Sequence, residues 1–306
     1  MDNHADNFVS NFNYFAGLLD SDGSVYSIKR KVRGDKLRIS PKISFTNTNL
    51  NLIELFSNFL HNNNINHYVC TRDRKTVYKL EKTIEISRIS KCMEFANIIM
   101  NYCVGRRLQL SLMEEYCRSR STYVEDNDWK FSTTPYTHEQ IELTDKLINL
   151  NYNYNIDDYN NYRNYTYSWL GGFIDGDGSI FISSHKQGFP REDIRMEPTI
   201  SFSGESTAVF NNIKEIFNRD SIKYTETKIK CKTKRKDNNK SKFYYNLAVK
   251  NQESLDILVE KLENKIFGKS KQLSIIKEYL YLRAESPKAY TDRCFKLCEE
   301  ITLLNK

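Results

Sequence analysis

One segment of this 306-residue sequence occurs twice, and the repeat constrains the fold more than any other feature. Residues 15–25 read FAGLLDSDGSV and residues 170–180 read LGGFIDGDGSI, so that Asp177 follows Asp22 by 155 positions (177 − 22). Two later matches keep the same order: ISFT at 43–46 with ISFS at 200–203, and GRRLQLS at 105–111 with GKSKQLS at 268–274. The offset grows to 163 at the last match (268 − 105). Ordered matches with a growing offset predict two homologous halves, the second of which carries an insertion.

Each half shows the same succession of helical and strand patterns. Apolar residues recur at helical spacing in 50–63 and in its counterpart 207–218, whereas 42–47 and 199–203 alternate as half-buried strands do. The patterns predict an α+β protein with two pseudo-symmetric α-β-β-α-β-β-α halves, whose antiparallel hairpins carry helices on one face and leave the other free. The predicted boundaries are 1–120 for the first half, 121–165 for a polar linker that holds a short helix at 137–150, and 166–306 for the second half.

In each copy of the motif a helix ends at Asp-x-Asp-Gly-Ser. The pairs Ala16–Gly17 and Gly171–Gly172 remove bulk from the helix surface, and glycine inside a helix costs roughly 0.5–1 kcal/mol relative to alanine. We therefore expect the two motif helices to pack on each other at the centre, across a pseudo-twofold axis, with Asp22 beside Asp177. A pair of carboxylates binds hard divalent cations, and Mg²⁺ is the natural choice. Two such ions can activate a water and stabilise the leaving oxygen in phosphodiester hydrolysis.

Other types of site fit the motif less well. A calcium-binding hand loop needs glycine at its sixth position, and counting from Asp20 or Asp175 places Val25 or Ile180 there. A single Asp-x-Asp-Gly is most often a turn, but two copies on repeated helices are far more specific.

Composition sets the remaining limits. Lys and Arg number 46 against 39 Asp and Glu, a net charge of +7, which permits a polyanionic partner. The seven cysteines include no Cys-x-x-Cys pair, so we expect reduced thiols rather than disulfides or a zinc site. No apolar run approaches the length of a membrane span, and the N-terminus resembles neither a secretory signal nor a transit peptide. These features predict a protein that is not secreted and has no membrane partner.

The two motifs resemble those of the LAGLIDADG homing endonucleases in their single-chain, two-motif form. The resemblance runs from about residue 8 to residue 305. It implies a saddle of two antiparallel sheets that lies in the major groove of DNA. It also implies that the last acidic residue of each motif ligates the metal ions. In this sequence these residues are Asp22 and Asp177, joined by the backbone carbonyls of Ser21 and Gly176.

The same resemblance implies a basic residue from each half near the scissile phosphates. The repeat alignment proposes Arg106 and Lys269, with Arg107 and Lys271 as open alternatives. A polar residue after the second strand is expected to orient water. Asn47 fits in the first half, whereas the second half has Gly-Glu at 204–205, so we expect the two strands to be cut at unequal rates.

A candidate DNA-binding surface follows from strand periodicity. Because side chains alternate between faces in a strand, Lys228, Lys230, Lys232 and Lys234 are expected to share one face. Arg72 and Arg74 stand at the corresponding place in the first half, and the register of the first strand favours Arg30. Arginine can bind guanine through two hydrogen bonds, whereas lysine acts on phosphate or guanine as a point charge.

The resemblance implies a monomeric, site-specific endonuclease that hydrolyses both strands of a long, asymmetric double-stranded DNA target. The expected cofactor is Mg²⁺ or Mn²⁺, and Ca²⁺ is expected to bind without supporting turnover. Two alternatives stay open: a maturase that binds its own intron RNA and assists splicing, and a DNA-binding relative that has lost cleavage. The abundance of Asn, Lys, Ile and Tyr is typical of an AT-rich genome, which, with the family's occurrence in organellar introns, favours an intron-encoded mitochondrial protein.

Overall fold

The structure is a computed structural model that describes residues 11–32, 36–72, 80–126, 134–152, 162–186, 194–231, 242–287 and 289–305. The chain divides into two compact units, Met1–Asn164 and Tyr165–Lys306.

The described part of the first unit contains five helices and four strands. In chain order they are α1 (Phe12–Asp22), β1 (Gly23–Val32), β2 (Lys36–Asn47), α2 (Leu50–Asn62), β3 (Tyr68–Arg72), β4 (Glu81–Ile86), α3 (Ile89–Ile99), α4 (Arg107–Asp126) and α5 (His138–Tyr152). The strands form one antiparallel sheet in the order β1-β2-β4-β3.

The described part of the second unit repeats this order. Its elements are α6 (Tyr167–Asp177), β5 (Gly178–Lys186), β6 (Ile194–Gly204), α7 (Thr207–Arg219), β7 (Thr225–Cys231), β8 (Lys242–Val249), α8 (Gln252–Leu262), α9 (Ser270–Glu285) and α10 (Asp292–Leu304). Its antiparallel sheet has the order β5-β6-β8-β7, the counterpart of the first. The predicted α+β class and the two pseudo-symmetric halves are confirmed.

Each motif helix begins at a side-chain cap and ends at the glycine of the motif. Oδ1 of Asn11 accepts from the N–H of Tyr14, and the hydroxyl of Thr166 accepts from the N–H of Trp169, which satisfies one of the unbonded N–H groups of the first turn. The chain becomes extended at Gly23 and Gly178. The second aspartate of the motif is therefore the last residue of its helix, directly before a strand.

The core of each unit lies on one face of its sheet. In the first unit the buried strand residues include Ile43, Phe45 and Ile84, which pack under α2 and its aromatic residues Phe56 and Phe59. The second unit repeats the arrangement with the buried residues Ile200, Phe202, Phe210, Phe217 and Leu247. The opposite face of each sheet is more polar, with Ser24 and Lys42 in the first sheet and Ser179 and Glu197 in the second, but it also includes Ile28 and Phe181. The strand alternation read from the sequence is thus present in both sheets.

The first unit takes in most of the segment expected to be a linker. Its last helix, α5, packs on α4 and β1. The buried Arg120 of α4 donates to the carbonyls of Thr134 and Pro135 at 2.8 and 2.6 Å and lies over the ring of Tyr136. The hydroxyl of Tyr136 accepts from the N–H of Ile39 on β2 at 3.0 Å. The short helix predicted at 137–150 exists, but it is part of the first unit.

The second unit contains an equivalent set of contacts around an arginine. These contacts show that α5 and α10 are equivalent helices. Arg283 donates to the carbonyls of Ser286 and Pro287 at 2.9 and 2.6 Å and lies over the ring of Tyr290. The hydroxyl of Tyr290 accepts from the N–H of Met196 on β6 at 3.0 Å. Arg283 follows Arg120 by 163 positions (283 − 120), the offset of the last sequence match. In the described part of the chain, each half therefore has three helices after its fourth strand, two more than the predicted α-β-β-α-β-β-α pattern.

The buried cysteines behave as core residues. Burial raises the pKa of Cys92 to about 12 and also raises the pKa of Cys103 and Cys117, so all three remain neutral thiols. Cys294 of α10 is buried and Cys298 is half-buried, and both are free thiols. Within the described residues, no helix is both long and apolar enough to span a bilayer.

Candidate functional site

The first motif helix ends at Asp22, whose carboxylate is held from the end of the second strand. Nδ2 of Asn47 donates to Oδ2 of Asp22 over 2.6 Å, and Oδ1 of Asn47 accepts from the backbone N–H of Asn49 over 2.7 Å. The second bond orients the amide, because its oxygen faces the N–H and its nitrogen then faces the carboxylate. Asn47, which was expected to orient water, therefore contacts Asp22 directly.

The earlier aspartate of the first motif, Asp20, ties the end of α1 to the loop before α4. Its carboxylate is buried and accepts from the backbone N–H groups of Val104 and Arg106, each at 2.7 Å. Backbone N–H groups are strong partners for a carboxylate, and a buried carboxylate without such partners would be very unfavourable. Asp20 thus has a structural role at the end of the motif helix.

The second motif repeats this contact. The buried carboxylate of Asp175 accepts from the N–H groups of Phe267, Gly268 and Lys269, each at 2.8 Å. Phe267 and Lys269 follow their first-half counterparts by the same 163 positions (267 − 104 and 269 − 106). The repeat alignment that paired Arg106 with Lys269 is therefore confirmed by equivalent hydrogen bonds.

The ammonium group of Lys269 lies against the C-terminal end of the second motif helix. It donates to the carbonyls of Ile174 at 2.6 Å, Asp175 at 2.8 Å and Gly176 at 3.1 Å. The last carbonyls of a helix lack intrahelical partners and carry the negative end of the helix dipole, so a cation there is stabilising. The carbonyl of Gly176, expected to ligate a metal ion, accepts from this lysine, and the exposed Asp177 follows it.

The basic residues of the first half are placed differently. Arg107 donates to the carbonyl of Met100 at 3.4 Å and to Oδ1 of Asn101 at 3.2 Å, and it lies 4.1 Å from the ring centroid of Tyr162. Arg107 therefore stabilises the segment that follows α3. Nε of Arg106 is buried without a hydrogen-bond partner among the described residues. Which of the two arginines acts at the scissile phosphate stays a prediction.

Replacing Lys269 with methionine is expected to destabilise the second unit by about 1–3 kcal/mol, because three carbonyls lose a charged donor. Urea unfolding of the variant and the wild type measures the loss. Lys271→Met is the matched control, since Lys271 is exposed in the same helix turn. Equal effects of the two substitutions would show that the three hydrogen bonds contribute nothing.

The glycine of the second motif helix has a contact within its own unit. A Cβ atom at Gly171 would lie 2.0 Å from the carbonyl oxygen of Lys265, in the turn after α8. No side chain fits at that distance, so this position requires glycine. The sequence analysis attributed the small residue to packing between the motif helices, and the turn after α8 provides a separate reason for it.

Each motif offers few ligands of its own for a metal ion. No group of three or more His, Cys, Asp or Glu is arranged to hold a metal within the described part of the chain. One carboxylate per motif, Asp22 or Asp177, is accompanied by helix-end carbonyls, including those of Ser21 and Gly176. Magnesium commonly binds through one or two carboxylates, several waters and substrate phosphates. The donor set therefore fits Mg²⁺ that completes its coordination on a phosphate substrate.

Strand pairing identifies the side chains on the open face of the first sheet. Lys29 belongs to the helix-covered face, since Nζ contacts Asp145 of α5 at 2.5 Å. Its neighbour Arg30 therefore lies on the open face, directly opposite Arg38. Arg30 is predictable from the sequence, whereas Arg38 is placed beside it only by the register of the hairpin. Arg72 ends β3 opposite Glu81, and Arg74 lies outside the described residues.

The lysines of β7 share one face, as predicted, but that face is the one that carries the helices. Lys228 pairs with the buried Tyr245 and lies 4.1 Å from the ring centroid of Phe243. Lys230 pairs with Phe243 and has the same orientation. The open face carries Thr227, Ile229, Tyr244 and Asn246 instead. Contact of these lysines with DNA stays a prediction, and Lys232 and Lys234 lie outside the described residues.

Two family models match the sequence, one in each half. Residues 170–279 match the LAGLIDADG endonuclease model, and residues 10–100 match the LAGLIDADG-like domain. No protein of curated function matches the sequence significantly.

Solved structures match over nearly the whole chain. The I-SmaMI LAGLIDADG homing endonuclease bound to cleaved DNA is 13% identical, with 95% of each chain covered and a TM-score of 0.66. I-SmaMI bound to uncleaved DNA in the presence of calcium ions is 14% identical, with 95% of this chain and 97% of that chain covered and a TM-score of 0.68. The I-LtrWI homing endonuclease bound to target DNA is 14% identical, with 96% and 97% covered and a TM-score of 0.67.

The paired motifs, the duplicated hydrogen bonds around Asp20 and Asp175, and the two sheets of equal topology agree with these matches. The chain belongs to the LAGLIDADG endonuclease family, with one family domain in each half and the fold of the two-motif homing endonucleases.

Proposed function

We propose that the protein is a site-specific homing endonuclease that hydrolyses both strands of a long, asymmetric DNA target. The observation that carries the proposal is the duplicated helix end. In each half a buried aspartate anchors the helix to the loop before the next long helix, and the following acidic residue, Asp22 or Asp177, stands last in the helix. If the motif only anchored the helix end, the buried aspartate would be sufficient and the second acidic residue would not be needed.

The second carboxylate of each motif is proposed to ligate the divalent metal. Asp22 and Asp177 supply a charged oxygen each, and the carbonyls of Ser21 and Gly176 supply neutral oxygens. When bound, Mg²⁺ or Mn²⁺ would supply an activated water and neutralise charge on the leaving oxygen. Calcium, present with uncleaved DNA in one I-SmaMI structure, is proposed to bind here without supporting turnover.

The residues around the carboxylates are proposed to act on the phosphate and on water. Asn47 holds Asp22 over 2.6 Å, so the first carboxylate keeps one orientation when the metal binds. Arg106 is proposed to neutralise charge at a scissile phosphate, and Lys269 is proposed to do so in the second half by exchanging one of its bonds to the helix-end carbonyls for the phosphate. The second half has Gly204 and Glu205 in place of a counterpart of Asn47, and the proposal therefore includes unequal cutting of the two strands.

The DNA is proposed to lie on the open faces of the two sheets. Each open face includes hydroxyl and basic side chains, among them Arg30 in the first sheet and Arg195 in the second, and such groups suit the edges of bases in a major groove. Intron RNA is the alternative ligand, since a basic sheet face does not by itself separate RNA from DNA.

The experiment is incubation of the purified protein with a duplex that spans the intron-insertion site, with and without Mg²⁺. Metal-dependent cleavage of both strands is the expected result, and a scrambled duplex is the control. Tight binding of the duplex without cleavage in Mg²⁺ or Mn²⁺ would refute the endonuclease. In that event faster splicing of the host intron RNA would identify a maturase instead.

A further inference from the structure

Two arginines face each other on the open face of the first sheet. Arg30 of β1 and Arg38 of β2 are directly opposite partners in the antiparallel register, and both side chains are exposed. Neither forms an ion pair with another described residue. Like charges opposite each other in a sheet destabilise it, so in the absence of a ligand this pair is unfavourable. An unfavourable cation pair on an exposed face favours an electron-rich ligand.

The second sheet holds a different pair at the same place. His185 of β5 lies opposite Arg195 of β6, and these positions correspond to Arg30 and Arg38 at the offsets of 155 and 157 seen in the sequence matches (185 − 30 and 195 − 38). Arg195 lies 4.0 Å from the carboxylate of Glu197 on the same strand, but that carboxylate accepts from Lys250 at 3.0 Å, so the main difference between the two pairs is a histidine in place of an arginine. The second pair is therefore less positive than the first, although the backbone positions are equivalent.

We propose that Arg30 and Arg38 read guanine bases in the half of the DNA target bound by the first unit, an inference that rests on the proposed function. A guanidinium group matches O6 and N7 of guanine through two hydrogen bonds, and no other base offers two acceptors there. Opposite Cβ atoms in a sheet are about 5 Å apart, and base pairs rise by about 3.4 Å, so the two groups reach neighbouring base pairs. The other half of the target has a weaker requirement for guanine, because the second unit presents one guanidinium group and an imidazole instead of two guanidinium groups.

Selection from a pool of randomised duplexes tests this assignment. The wild type and the variants Arg30→Thr, Arg38→Thr and Arg195→Thr are each used to select bound duplexes in Ca²⁺, and the bound sequences are compared base by base. The wild type is expected to enrich guanine at neighbouring positions of one half-site. Arg30→Thr and Arg38→Thr are each expected to lose that enrichment roughly tenfold or more at one position. Arg195→Thr leaves these positions unchanged.

The thermal stability of the free protein separates base reading from a structural role. Because each substitution removes a like-charge contact, the melting temperature of Arg30→Thr and Arg38→Thr is expected to be unchanged or higher, while selectivity is lost. A uniform loss of affinity, with the base preferences retained and a shallower salt dependence, would assign the arginines to phosphates and overturn the inference. A wild type that selects no sequence from the pool would refute the proposed function itself. If both variants keep the guanine preference, only the assignment of Arg30 and Arg38 to guanine is refuted.

Discussion

Replacing Asp22 with asparagine is expected to slow cleavage of the duplex target about a thousandfold or more, equivalent to about 4 kcal/mol in the barrier. Asparagine has nearly the same shape and keeps an acceptor for Nδ2 of Asn47, but it lacks the negative charge that a divalent cation requires. Asp177→Asn is expected to have a comparable effect on the other strand. The measurement is single-turnover cleavage, with the two strands labelled separately.

Binding provides the control for this prediction. Both variants are expected to bind the duplex within a few-fold of the wild type, because neither carboxylate belongs to the open sheet faces. Asn47→Ala is a second comparison and is expected to lose less activity than Asp22→Asn, since it misorients the carboxylate without removing it. If Asp22→Asn cleaves both strands at the wild-type rate, the assignment of the metal ligands is wrong.

Replacing Asp175 with alanine is expected to cost the second unit about 3–5 kcal/mol of unfolding free energy. The carboxylate is buried and accepts three backbone N–H groups at 2.8 Å, and its removal leaves those donors without their charged partner. The loss of the anchor also releases the loop before α9 from the end of the motif helix. A loss of this size is a large share of the stability of a domain, so we expect much of the variant to unfold at physiological temperature.

Urea unfolding followed by circular dichroism measures this effect. Asp20→Ala is the matched variant in the first unit and is expected to be destabilising for the same reason, since the buried Asp20 accepts from the N–H groups of Val104 and Arg106. Asp175→Asn keeps one acceptor oxygen and is expected to recover part of the loss. A cost below about 1 kcal/mol for Asp175→Ala would mean that the three N–H groups find other partners.

Most of the fold was predictable because its information is local and repeated. Apolar residues at helical spacing and alternating strands are properties of short segments, and the ordered matches between the halves showed that each pattern occurs twice. The same alignment pairs Arg106 with Lys269, and the equivalent bonds from their N–H groups to Asp20 and Asp175 agree with that pairing. The boundary near residue 120 was less predictable, because the buried contacts of Arg120 join segments separated in the sequence.

The sequence by itself determined the duplication, the α+β class, and the two carboxylates that end the motif helices. It also determined that Lys228 and Lys230 share a face, since alternation is a property of any strand. Only the tertiary structure decided that helices cover this face, that Arg38 lies opposite Arg30, and that the ammonium of Lys269 occupies the end of α6. The physical reason is that strand periodicity specifies relative orientation within one segment, whereas the choice of the covered face depends on which distant apolar surfaces pack together.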